Sequence, residues 1–160
     1  MAQDSETTQS SDKSERAKKI IRKHMLISIA SGVLPMPVVD IAILTGVQLR
    51  MVRQLAELYE VEFPEQRTKS IIGSLVGVSA VATAGNLLGM FLPGIKALVG
   101  LGKLATGPAT TYALGQVFIK HFESGGTIWT FDASRGKQDY EEELEKGKQV
   151  VEQSYVGMKP

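Results

Sequence analysis

The sequence predicts an all-α fold made of two packed helical hairpins. Two observations predict it. Apolar residues recur at three- and four-residue spacings, and a helix–Pro turn–helix plan occurs twice, at VLPMPVVDIAIL and at FLPGIKALVGL. With 160 residues, the chain is long enough for one domain with tails. We expect a disordered N-terminal tail over 1–13, because that segment carries too few apolar side chains to offset chain entropy. The helical domain is predicted over 14–131, and a charged C-terminal helix and tail over 132–160.

The first hairpin turns at LPMP. Pro35 and Pro37 end the first helix, because proline removes an amide donor and disfavours a helical conformation in the residue before it. Pro37 also suits the first position of the second helix, which puts Asp40 in that helix's first turn, where the helix dipole favours a carboxylate. Asp40 is a candidate buried acid: we favour the capping role, and an ion path through a membrane is the alternative.

The second hairpin is predicted to be apolar and rich in glycine. The segment from Ser70 to Ile95 contains 26 residues without a charge. At about 1.5 Å per residue, about 23 helical residues reach roughly 35 Å, enough to cross a hydrocarbon core of about 30 Å. The turn is assigned to Pro93 and Gly94. The following helical region is predicted to break at Gly107-Pro108.

Four glycines in this hairpin have small-xxx-small spacing. The pairs are Gly73/Gly77 and Gly85/Gly89. Such pairs let helix backbones approach closely, so they predict helix packing, with a homodimer contact as the sharper alternative.

The C-terminal part is predicted to be peripheral. After the SGG segment, TIWTFD has β-like composition but no partner strand, so we expect a short extended arm. The residues from Asp139 to Glu152 predict a surface helix interrupted at Gly147.

A cluster of basic residues lies in the first predicted helix. Its candidate lipid headgroup contacts are Lys18, Lys19, Arg22 and Lys23. A solvated helix face is the ordinary explanation for such a cluster. Contact with anionic headgroups is the sharper explanation, and the two are compatible.

Composition and motifs argue against catalysis. There is no cysteine, and the two histidines, His24 and His121, lack metal-ligand spacing. No GxSxG or GxxxxGK[ST] motif occurs. The net charge of +1 gives no field that would favour nucleic acid. We therefore expect no catalytic residues, no metal, no cofactor, no nucleic-acid partner and no enzymatic activity.

Three segments together resemble a known family: LPMPVVDIAILTGVQLRMVRQLAELYEVEFPEQRTKSIIGSLVG, TTYALGQVFIKHFESGG and YEEELEKGK. They are similar to the YcjF-like bacterial GTPase-associated domain of unknown function. That domain occurs alone or joined to Era-like GTPase domains. The resemblance implies a helical, membrane-associated module with no established reaction, for which a GTPase would act as a separate partner.

These observations predict a non-enzymatic, membrane-associated helical protein of unknown process that acts as an anchor, scaffold or regulator. The hairpin from Ser70 to Ile119 is expected to insert into the bacterial inner membrane, with both termini cytoplasmic from a small Lys/Arg bias. The expected partners are membrane lipid, a GTPase in trans and a second copy of the chain. Two alternatives stay open: a soluble amphitropic bundle that oligomerises, and a small pore or transport component.

Overall fold

The computed structural model describes the backbone of residues 2–31, 37–84 and 95–157, and the side chains of residues 8–30, 43–76 and 107–157. Every regular element in those ranges is helical, which confirms the all-α prediction. The five helices are α1 (Ala2–Ser31), α2 (Pro37–Leu58), α3 (Glu65–Ala84), α4 (Ile95–Glu123) and α5 (Ala133–Gly157).

Helix α4 is the centre of the bundle. It packs mainly on α5 and α1, and also on α2, while α1 packs on α2 as the predicted first hairpin requires. Helix α3 packs on α2 and α5. The largest fully buried side chains come from all five helices, so the core lies between them: Tyr140, Phe118, Ile21, Met51, Leu55, Leu75 and Leu114. Burying a side chain of this size contributes about 1.5–3 kcal/mol.

Helix α5 belongs to the bundle and is not a surface helix. It begins at Ala133, where the Asp132 carboxylate accepts a hydrogen bond from the Ser134 amide at 2.9 Å and so caps the helix. It continues without a break through Gly147, which is buried. A Cβ at position 147 would lie 2.8 Å from the Ala109 carbonyl oxygen. Helices α4 and α5 therefore approach closely at Gly147, and the interruption predicted there is wrong.

Helix α4 is continuous through Pro108, so the predicted break at Gly107-Pro108 is also wrong. Proline in a helix interior costs about 3 kcal/mol. Directly after it, α4 buries Ala109, Ala113 and Leu114, and tertiary packing of that face offsets the lost hydrogen bond.

Helix α1 begins at Ala2, so it extends through most of the segment that we predicted to be disordered. Helix propagation adds one hydrogen bond for each residue ordered, which lets a packed helix continue into a polar segment. The side chains over 8–12 are exposed, and Lys13 Nζ lies 5.8 Å from the centre of the ring of Tyr59, which directly follows α2.

The connection between α4 and α5 is a turn that packs on the core, and no strand forms there. Ile128 and Phe131 are buried, so the predicted extended arm is a compact loop. His121 holds the loop: its Nε2 lies 2.9 Å from the Thr127 carbonyl oxygen, and its ring meets Phe131 edge-on at 4.9 Å. A Cβ at Gly126 would lie 2.3 Å from the His121 ring, so a larger residue there would force the ring to move.

Candidate membrane-contact surface

Helix α1 has one face in the core and the opposite face in solvent. The buried face consists of Ala17, Ile21, His24, Met25 and Ser28, at three- and four-residue spacings. It fits closely against α4, since a Cβ at Gly115 would lie 2.5 Å from Ile21 Cγ1. The core therefore fixes the rotation of α1 about its own axis, and that rotation decides which side chains face outward.

The outward face carries the predicted basic cluster. Lys18, Lys19, Arg22 and Lys23 are all exposed. Within the described part of the chain, none of the four forms an ion pair with a carboxylate. The acidic residues of this helix, Asp4, Glu6, Asp12 and Glu15, all precede the cluster. The four cations thus form a patch of one sign, here called the cationic face, which is available to an anionic partner.

The buried face of α1 also contributes to a layer of buried polar side chains. This layer joins three helices, and its members are His24 and Ser28 of α1, Gln48 of α2, and Thr110 and Thr111 of α4. Gln48 Nε2 donates to Thr110 Oγ1 at 3.1 Å, and the Ser28 and Thr111 hydroxyl oxygens lie 3.0 Å apart. Buried polar groups specify a register when they are satisfied, so this layer aligns the three helices.

His24 is the titratable member of that layer. Its Nδ1 lies 2.8 Å from the Ile20 carbonyl oxygen, and because a carbonyl can only accept, Nδ1 carries the hydrogen. Burial lowers the pKa of His24 below its ordinary value, the Ile20 hydrogen bond opposes that shift, and the positive charges of Lys23 and Arg50 add to it. His24 is therefore neutral at neutral pH, and it serves the core rather than the cationic face.

The predicted packing glycines are only partly described. Gly73 lies on the exposed side of α3, where an added Cβ would meet nothing within 4 Å. Its packing role stays a prediction, and it would require a partner beyond the described contacts. Gly77 lies in α3, but its surroundings are outside the described side chains. Gly85 and Gly89 are outside the described residues.

The predicted turn residues are likewise partly described. Helix α2 begins at Pro37, as the proline pattern predicts, and Asp40 lies in its first turn. The Asp40 side chain is outside the described side chains, so both of its predicted roles, helix cap and buried acid, stay predictions. Pro35, Pro93 and Gly94 are outside the described residues.

The inserted hairpin predicted from Ser70 to Ile119 does not agree with the packing of its second arm. Between residues 107 and 119, α4 is enclosed by other helices and buries Leu114, Val117 and Phe118 in the protein core. None of the described helical segments combines the length and apolar character needed to cross a bilayer. In the described ranges, no three His, Asp or Glu side chains are grouped to hold a metal ion.

Sequence reasoning missed the residues that hold the bundle together. In α5 the buried positions Gly136, Tyr140, Gly147 and Val151 follow spacings of four, seven and four, which is a helical period. That period predicts a packed face, and it could have identified Gly147 as part of the face. The polar layer carries no comparable signal, because its members come from three separate helices.

Comparison with known proteins identifies the family of this chain. Residues 1–149 match the family described as a domain of unknown function, DUF697. The chain belongs to this family. It is 36% identical over 140 residues to magnetosome membrane protein 22 of Magnetospirillum gryphiswaldense, an alignment that covers 84% of this chain and 72% of that relative. No solved structure matches the chain. The family assignment confirms the domain of unknown function in the predicted resemblance.

Proposed function

We propose that this DUF697 protein is a non-enzymatic, membrane-associated helical protein that acts as an anchor, scaffold or regulator at the bacterial inner membrane. The cationic face of α1 carries the proposal, since Lys18, Lys19, Arg22 and Lys23 are exposed together. The printed name of the Magnetospirillum relative, a magnetosome membrane protein, supports it. In this proposal the face binds the anionic headgroups of the membrane surface.

The charges are sufficient for reversible binding. Each Lys or Arg near an anionic membrane surface strengthens partitioning about fivefold, and the effect decays over about 8 Å at physiological salt. Four such residues on one exposed face therefore raise partitioning by several hundredfold. The net charge of the whole chain is only +1. Binding should therefore depend more on whether the cationic face of α1 is turned toward the membrane than on the overall charge.

Co-sedimentation with vesicles tests the proposal. The test variant carries Lys18→Gln, Lys19→Gln, Arg22→Gln and Lys23→Gln. The matched control neutralises four exposed cations of α5 with Arg135→Gln, Lys137→Gln, Lys146→Gln and Lys148→Gln. Both variants go from a net charge of +1 to −3 (1 − 4 = −3).

We expect wild type and the α5 variant to sediment with vesicles of phosphatidylcholine and phosphatidylglycerol, and the α1 variant to stay in the supernatant. Added salt should weaken wild-type binding. If both variants bind as strongly as wild type, the cationic face is not the contact. If wild type binds and neither variant does, binding depends only on net charge.

A GTPase acting in trans is a further part of this proposal, supported only by the resemblance to GTPase-associated domains. Crosslinking in cells, followed by mass spectrometry of the captured proteins, tests it. Recovery of the same GTPase in repeated experiments supports the partnership, and its consistent absence contradicts it.

A further inference from the structure

The exposed side of α1 changes character along its axis. Leu26 follows Arg22 by four residues and Ile27 follows Lys23 by four, so each apolar side chain lies on the same side of the helix as a cation. Leu26 is 37% exposed and Ile27 is 41% exposed. The outward surface of α1 is therefore basic first and apolar one turn later. Leu26 and Ile27 together are here called the apolar tip.

The apolar tip is unusual among the described side chains. Two other large hydrophobic residues, Trp129 and Val156, are exposed in that set. Trp129 has a polar partner, since its indole N–H donates to Glu62 at 3.0 Å, and Val156 lies at the end of α5. Among the exposed hydrophobic residues that the structure describes, only those of the apolar tip follow the four cations of the cationic face on the same side of a helix.

The geometry points to an anionic bilayer entered by α1 with its C-terminal end first. We propose that Lys18 to Lys23 lie at the headgroup phosphates and that Leu26 and Ile27 insert into the acyl region. This inference rests on the membrane function proposed above, and it adds which residues insert and in what orientation.

The dimensions and the charges support this occupant. The centres of the two parts are about six residues apart, or about 9 Å along the axis, and a headgroup layer is about 5–8 Å thick. A helix that enters at a tilt thus keeps its cations among phosphates while its tip reaches hydrocarbon. Nucleic acid would complement the cations but leave the apolar tip in water, and an apolar protein surface would desolvate the cations without compensating them.

The chain contains no cysteine, which allows single fluorescent labels without other changes. An environment-sensitive dye is attached to Ile27→Cys at the tip. Glu15→Cys, on the same side of α1 before the cations, and Ser134→Cys, at the start of α5, are the controls. All three native side chains are exposed, so none of the substitutions removes a core contact. The vesicles contain equal parts of phosphatidylcholine and phosphatidylglycerol, with and without a quencher in the acyl chains.

We expect the dye at position 27 to shift to the blue and to be quenched from the acyl region. The dyes at 15 and 134 should stay in a polar environment. The unlabelled variant Leu26→Ser/Ile27→Ser should bind these vesicles about tenfold more weakly, and the binding that it retains should be more sensitive to salt.

Each other outcome overturns a definite part. If no labelled variant sediments with vesicles, the proposed membrane function fails and the inference fails with it. If all sediment but position 27 stays in water, the insertion is wrong and the surface binding stands. A blue shift that grows with protein concentration in buffer alone assigns the tip to a second copy of the chain.

Discussion

The contact between α4 and α5 makes Gly147→Ala a sharp test of the fold. A Cβ at this position would lie 2.8 Å from the Ala109 carbonyl oxygen and 3.1 Å from Tyr112 Cδ1. An ordinary carbon–oxygen contact is about 3.3–3.6 Å, so α5 must move away from α4 by roughly 0.5 Å. The obstructing oxygen belongs to the helix backbone and cannot rotate aside.

Two opposing contributions set the change in the free energy of unfolding that Gly147→Ala causes. Overpacking a core contact costs about 1–3 kcal/mol, while replacing glycine by alanine in a helix interior recovers about 1 kcal/mol. Gly73→Ala isolates the second term, because a Cβ at position 73 meets nothing within 4 Å. We therefore expect Gly73→Ala to raise the free energy of unfolding by about 1 kcal/mol and Gly147→Ala to lower it by up to about 2 kcal/mol.

Urea unfolding followed by circular dichroism measures both variants against wild type. The difference between them removes helix propensity and leaves the packing term of about 1–3 kcal/mol. Gly46→Ala, on α2, provides a second control, since a Cβ there also meets nothing within 4 Å. If Gly147→Ala proves as stable as the two controls, the close approach of α4 and α5 is refuted.

Three further predictions concern the polar layer and the α4–α5 loop. Burial lowers the pKa of folded His24, so the unfolded chain binds the proton more tightly; stability should be complete above about pH 6.5 and fall as the pH drops below that value. Urea midpoints across pH check this, and His24→Gln should flatten the profile. Gln48→Ala should lower the free energy of unfolding by about 2 kcal/mol, because it removes a buried hydrogen bond and leaves a small cavity. Gln48→Leu should be less destabilising because leucine fills the space. A Gln48→Ala protein of wild-type stability would contradict the role of the polar layer. Gly126→Ala should destabilise the chain by about 1–3 kcal/mol and displace the His121 ring, which the imidazole NMR resonances of His121 would report; unchanged resonances would rule out the close packing of ring and glycine.

The sequence predicted correctly those features that depend on one residue and its neighbours in the chain. Pro37 begins α2 because its fixed φ and missing amide suit a first helical position, and this holds whatever surrounds it. The cations of α1 were identified by residue type, and their exposure agrees with either explanation of the cluster. These features depend on sequence separations of a few residues.

The errors arose where distant packing overrules local preference. Pro108 and Gly147 both disfavour a helical conformation, yet each lies inside a helix. Packing of the continuous helix against its neighbours stabilises the fold by more than the unfavourable residue costs. Likewise, the charged composition of α5 predicts a surface helix, but its small and apolar positions are buried in the bundle.

The sequence by itself determined the all-α class, the helix start at Pro37 and the basic cluster, since all three follow from backbone propensity and charge. Only the tertiary structure decided that residues 107–119 belong to the protein core, and that α1 turns four cations and an apolar tip outward together. The physical reason is that the direction in which a helix face points depends on what its opposite face buries. For α1, that choice was made by Ile21, His24 and Met25 packing against the rest of the bundle.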